Sequence, residues 1–140
     1  MKLAIIALAA ASTAAVGATA FAAKESPLGP PPAAGTGLPT GQCIRSHEIR
    51  NHTIADRQTL LLDVDGKATY RITVDGACLG GAVSSDPIVT RQPPGSAIIC
   101  KPIDMDLAIS KGGFESQCIV RSIVKMSPEE VAALPRKLKP

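Results

Sequence analysis

The first 23 residues set the conditions under which the rest of the chain folds. Met1 and Lys2 precede an almost unbroken apolar run from Leu3 to Ala23, which ends Ala-Thr-Ala-Phe-Ala-Ala. A positive start, an apolar centre and small residues at the exit form the layout of a secretory signal peptide. Small residues permit a cut after Ala20 or after Ala22. The competing reading is an uncleaved anchor, since roughly 20 apolar residues span a bilayer. Against it, the run is mostly alanine and is interrupted by Ser12, Thr13, Gly17 and Thr19. The expectation is a signal peptide over residues 1–22, no membrane span after its removal, and a periplasmic or extracellular (secreted) protein. No cysteine directly follows the run, so lipid attachment there is not expected.

Export gives the cysteines their meaning. Cys43, Cys78, Cys100 and Cys118 are an even set in a small domain that meets an oxidising compartment, which argues for two disulfides. No two of them have Cys-x-x-Cys spacing, so neither a zinc knuckle nor a thioredoxin-type motif is supported. Three connectivities are possible. The preferred pairing is Cys78–Cys100 with Cys43–Cys118, on the topological ground that each partner borders a strand able to lie beside the other.

Removing the leader takes away much of the 45% hydrophobic content and leaves 14 basic and 12 acidic residues. That balance is too even to imply nucleic acid or a membrane surface as partner. Tyr70 and Phe114 are the aromatics that remain. Sugar and nucleic-acid sites draw on stacking surfaces, so their scarcity counts against both classes. Residues 23–42, rich in Pro and Gly, have little to bury and are expected to be a disordered linker. A single β-rich domain is expected over 43–135, followed by a solvated basic tail over 136–140.

Within the domain the pattern is of strands and turns. A first strand is expected over His47–Ile54 and a second over Thr59–Val64. Asp65-Gly66 and the alternating run Ala68–Val74 complete the best hairpin signal in the chain. Cys78 to Gly95 reads as loop with a short strand at Ile88–Thr90. Ala97–Cys100 and Met105–Ile109 are strand candidates, Lys111-Gly112-Gly113 is a turn, and Gln117–Lys125 is a further strand. Ser127-Pro128-Glu129-Glu130 carries the marks of a helix start: N-cap serine, proline in the first turn, and a glutamate placed to close a capping box. The predicted fold is mostly β: a small antiparallel curled sheet or partly open barrel with a short C-terminal helix, stapled by disulfides.

No catalytic motif survives inspection, and no cofactor or metal is expected. His47 and His52 are of opposite strand parity and would not converge on a metal. Asp63-Val64-Asp65-Gly66 resembles the start of a calcium loop, but glycine follows too soon and no glutamate closes it. Asp104 and Asp106 could share a strand face, yet no cleft supports general acid work. Asn51-His52-Thr53 fits the glycosylation pattern, which matters only in a host that glycosylates secreted proteins.

Several residues in order resemble a family of small exported proteobacterial proteins classed as a domain of unknown function. They are Cys43-Ile44 with Ile49; Asp56 with Thr59-Leu60-Leu61; Tyr70; Cys78-Leu79; Cys100 with Asp104; and Cys118 to Ile123 running into Ser127-Pro128-Glu129-Glu130. The resemblance implies an exported single domain with four cysteines and carries no catalytic residue. The expected function is a non-enzymatic envelope protein that binds an unknown protein or small ligand. Its contact region would be the loop holding Val83, Asp86, Ile88 and Arg91, because long loops on rigid scaffolds carry recognition. A secreted hydrolase inhibitor, or an enzyme with an unrecognised site, is the alternative.

Overall fold

A computed structural model describes residues 27–92 and 95–140. The expected signal peptide over residues 1–22 lies outside the described residues, as do Pro93 and Pro94. Among the described residues the chain is mostly β, with three antiparallel sheets and one short helix.

The strands are β1 (Ile44–Arg45), β2 (Ile49–Ile54), β3 (Thr59–Val64), β4 (Ala68–Val74), β5 (Ile88–Arg91), β6 (Ile98–Ile99), β7 (Asp106–Lys111), β8 (Phe114–Cys118) and β9 (Val120–Lys125). They assemble as β2-β3-β4-β9, β5-β7-β8 and β1-β6. The Asp65-Gly66 hairpin forms as expected. Both residues take positive φ, 56° and 67°, and Lys67 N donates to Val64 O at 3.1 Å. Aspartate tolerates the left-handed region and glycine is free of it, which is why this pair closes tight hairpins. Two expected strands are redrawn. The first begins at Ile49, because Ser46–Glu48 form a 3-10 turn that carries His47. Gln117–Lys125 is two strands in different sheets, divided at Ile119, whose carbonyl accepts from Asp75 N at 2.8 Å.

That break lets the chain pass from one sheet to the other around a shared core. Leu60, Leu62, Ile72, Ile99, Leu107 and Ile123 come from all three sheets and pack together. The roll does not close into a barrel: β2 and β5 are edges facing one another without a ladder. Side chains cover β2. Asn51 Oδ1 accepts from His52 N at 2.9 Å, and Ser84 Oγ accepts from Ile54 N at 3.0 Å. Occupying outward donors in this way protects an edge from pairing with another chain.

The run Leu60-Leu61-Leu62 is wholly buried because β3 is covered on both faces. Leu60 and Leu62 point into the main core. Leu61 points the other way, against Met126, Leu134 and Leu138 with Leu28 and Val131 beside them. The helix α1 (Pro128–Ala133) starts on the expected capping box: Ser127 Oγ accepts from Glu130 N and Glu130 Oε2 accepts from Ser127 N. The 3-10 turn Arg136–Leu138 then buries Leu138. The expectation of a solvated basic tail over 136–140 is corrected here. One apolar residue among the cations finds a partner surface on Leu61, and that surface is invisible in the local sequence.

The Pro/Gly-rich segment is corrected in the same sense. Over residues 27–42 it is a strap laid on the domain rather than a free tether. Leu38 packs on the main core and Leu28 on the second layer. Gly35 N donates to Arg121 O, Ile123 N to Thr36 O, and Leu38 N to Cys100 O, all within 2.7–2.8 Å. Gly37 is required by proximity: a Cβ there would stand 2.8 Å from the Cys100 carbonyl oxygen. The buried guanidinium of Arg71 donates to the carbonyls of Leu28 (2.6 Å), Gly29 (3.2 Å) and Pro30 (3.2 Å). The strap has few apolar side chains, but its main-chain oxygens are held by a cation.

Two disulfides are present, with neither of the preferred pairings. Cys43 bonds Cys100 and Cys78 bonds Cys118, with Cα separations of 4.5 and 5.5 Å. The ladders decide it. β1 pairs β6 with Ile44 opposite Ile99, which places their neighbours Cys43 and Cys100 together. Val74 faces Val120 across β4 and β9, so the chain leaving β4 runs past Cys118. The bonds are consistent with an oxidising, extracytoplasmic location. No helix among the described residues is long and apolar enough to cross a membrane.

Candidate functional site

The loop between β4 and β5 is pinned at its base and open at its tip. Cys78 ties it to β8, and Leu79 is buried beside it. Lys111 Nζ, at the end of β7, donates to Gly81 O. Farther along, Asp86 closes a turn: its Oδ2 accepts from Val83 N at 2.9 Å, and its N–H donates to Val83 O at 2.9 Å. His52 Nε2 lies 3.0 Å from Asp86 O. A carbonyl only accepts, so this bond requires the proton on Nε2. The loop is thus fixed at Cys78, Gly81, Ser84 and Asp86. At its turn Val83 is 57% exposed.

The β7–β8 hairpin shares this end of the molecule through the Lys111–Gly81 contact. Phe114, the register partner of Lys111, is 80% exposed. On β8 it has the parity of Ser116 and Cys118. The sequence singled out Val83 and left Phe114 as a remaining aromatic without a role. The glycine turn ahead of it was the available signal, since it places Phe114 at a hairpin tip.

The other expected contact residues point elsewhere. Ile88 and Thr90 line a groove of about 210 Å³ between β5 and β2, with His52 and Ile49 on the far wall. Arg91 pairs with Glu115 across the three-stranded sheet. Gln117, with its amide turned to suit its neighbours, donates to Asp106 at 3.0 Å and accepts from Arg91 at 3.1 Å. Arg91 is therefore part of a surface network rather than of the loop tip. Nor does Cys78 bond Cys100 at the base of this loop: its disulfide goes to Cys118.

The residues weighed for chemistry do not assemble. Among the described residues no group of three or more His, Cys, Asp and Glu could hold a metal ion. Asp104 and Asp106 do not share a strand face. Asp104 ends a 3-10 turn, Pro102–Asp104, and Asp106 opens β7. A further groove of about 510 Å³ between the β3–β4 turn and α1 carries Lys67, Lys125, Lys139 and Asp63 at its rim. Charges of both signs share it, and no buried unpaired polar group is directed into it.

Asp104 has a structural task. Its Oδ2 accepts from Lys101 N at 2.8 Å and Cys100 N at 3.0 Å, and these backbone bonds hold its pKa below the ordinary 3.8. A depressed carboxylate stabilises the fold above its unfolded pKa, and that stability is lost as pH falls through the folded value. The difference in urea midpoint between wild type and Asp104→Asn is expected to be constant near neutrality and to shrink below about pH 4. A difference independent of pH down to pH 2 would remove the role assigned to the carboxylate.

Compared with known protein families, curated proteins and solved structures, the chain matches none.

Proposed function

We propose that this protein is an exported, non-enzymatic binding module whose contact surface is the end of the roll formed by Val83 and Phe114. One observation carries the reading. Two large apolar side chains, 57% and 80% exposed, stand on a loop and a hairpin tied to one another by the Lys111–Gly81 bond, with the loop stapled to β8 by Cys78–Cys118. A rigid base lowers the ordering cost of binding, and exposed apolar anchors supply contact area. The resemblance to exported proteins of unknown function belongs to this proposal and adds no activity to it. The partner is a protein in the envelope or the medium, since two convex apolar tips suit a partner surface with a depression better than a small molecule.

The test is a photo-crosslinking amino acid placed singly at Val83, Phe114 and, as control, Glu129 on α1, in the exporting host. Adducts of one mass from positions 83 and 114, absent from 129, are the expected result. Equal labelling at all three positions, or none at 83 and 114, would remove the site.

A further inference from the structure

Beneath the strap, the outer face of the four-stranded sheet holds polar atoms that no group among the described residues satisfies. Thr73 on β4 and Ser122 on β9 are register partners, and both are more than nine-tenths buried. Neither hydroxyl has a hydrogen-bond partner among the described residues, and neither has the Nε of Arg71 on the same face of β4. A buried hydroxyl left unpaired is costly, so such groups are normally met by protein or by an ordered molecule.

Thr73 does not face a packed wall. It borders a cavity of about 210 Å³ roofed by Pro31, Pro32 and Ala34 of the strap, with Gln58 and Arg121 at its sides. Arg121 stands there because the ladder slips at this point. Thr73 faces Ser122 and Val74 faces Val120, so Arg121 is an extra residue and its side chain leaves the regular alternation. Its Nε is engaged by Asp75 at 3.1 Å, which leaves other guanidinium donors. The roof prolines have no N–H to offer. The walls therefore supply donors from Arg121 and Gln58 and a hydroxyl that can give or take one bond.

We propose that this cavity is a binding site for a small oxygen-bearing ligand held by Thr73, Gln58 and Arg121. Two sources share that chemistry: a cluster of water molecules, or a carboxylate the size of acetate. A polar space of this volume accommodates either. The ligand occupies the space between sheet and strap and completes the hydrogen bonding that Thr73 lacks.

Thermal unfolding of the full chain tests this with Thr73→Val and Thr73→Ser, in chloride and in rising acetate at matched ionic strength. Thr73→Val keeps the shape and removes the hydroxyl. It is expected to lower Tm by about 5 °C, while Thr73→Ser keeps most of the wild-type value. If acetate raises the wild-type Tm and not that of Thr73→Val, the ligand is a carboxylate. If acetate has no effect and the drop remains, it is water. Thr73→Val as stable as wild type, or more so, would overturn the proposal, because an unused buried hydroxyl is better replaced by a methyl group. So would Thr73→Ser falling as far as Thr73→Val, since the loss would then belong to the methyl.

Discussion

Removing the Cys43–Cys100 bond with Cys43→Ser and Cys100→Ser is expected to lower stability by about 4 kcal/mol. The bond closes a sequence separation of 57 residues, and the other, Cys78–Cys118, closes 40. The chain-entropy cost of such loops is similar, so the second double variant should lose about as much. The two loops interleave along the chain, which makes the losses non-additive when both bonds go. The pairing itself is tested by a mixed variant. Cys43→Ser with Cys118→Ser breaks both bonds, leaving Cys78 and Cys100 as free thiols. Thiol titration of the unfolded protein should find two thiols there and none in the first variant. Urea denaturation should place the mixed variant well below either matched pair. A mixed variant with no free thiol and one intact bond would refute the connectivity.

Arg71→Ala is expected to cost about 3 kcal/mol, because three charge-assisted hydrogen bonds are lost together and the strap carbonyls return only partly to water. Burial pushes the pKa of Arg71 down while Asp56 and Glu130 oppose the shift, but a guanidinium stays charged throughout the accessible range. Arg71→Lys should recover less than half of the loss. An ammonium is a compact point charge and lacks the planar fork that reaches three successive carbonyls. Two measurements follow the effect: urea unfolding for the free energy, and limited proteolysis for the strap. Cleavage within residues 27–38 should become fast in Arg71→Ala under conditions where the rest of the domain is intact. Unchanged stability together with a protected strap would show that Leu28, Leu38 and the β9 contacts hold it alone.

Several parts of this fold were legible in residues taken a few at a time. The Asp65-Gly66 hairpin, the glycine turn before Phe114 and the capping box at Ser127 depend on contacts between near neighbours, and each formed where it was read. The short strand at Ile88 also emerged, because β-branched residues there stand between turn signals. The strap, the tail and the disulfide partners were not legible. Each depends on a surface that exists only after distant strands pair. Leu138 is buried because Leu61 faces outward from a sheet covered on both sides. Segment 27–38 is ordered by Arg71, more than thirty positions away, and its own composition gives no sign of it.

The candidate site divides the same way. Val83 was visible as an apolar residue in a polar loop, and Phe114 as an aromatic beyond a turn. That the two belong to one end of the molecule follows from Lys111 reaching Gly81, a contact across thirty residues. Alone, then, the sequence determined a mostly β architecture, the local turns and caps, and the oxidation of four cysteines. Those features rest on short-range sterics, hydrogen bonding between neighbours and an even set of cysteines in a small domain. Tertiary structure decided which cysteines meet, which faces are covered twice and what holds the strap. These depend on strand register, and register is set by the joint burial of residues far apart in the chain, which no local pattern encodes.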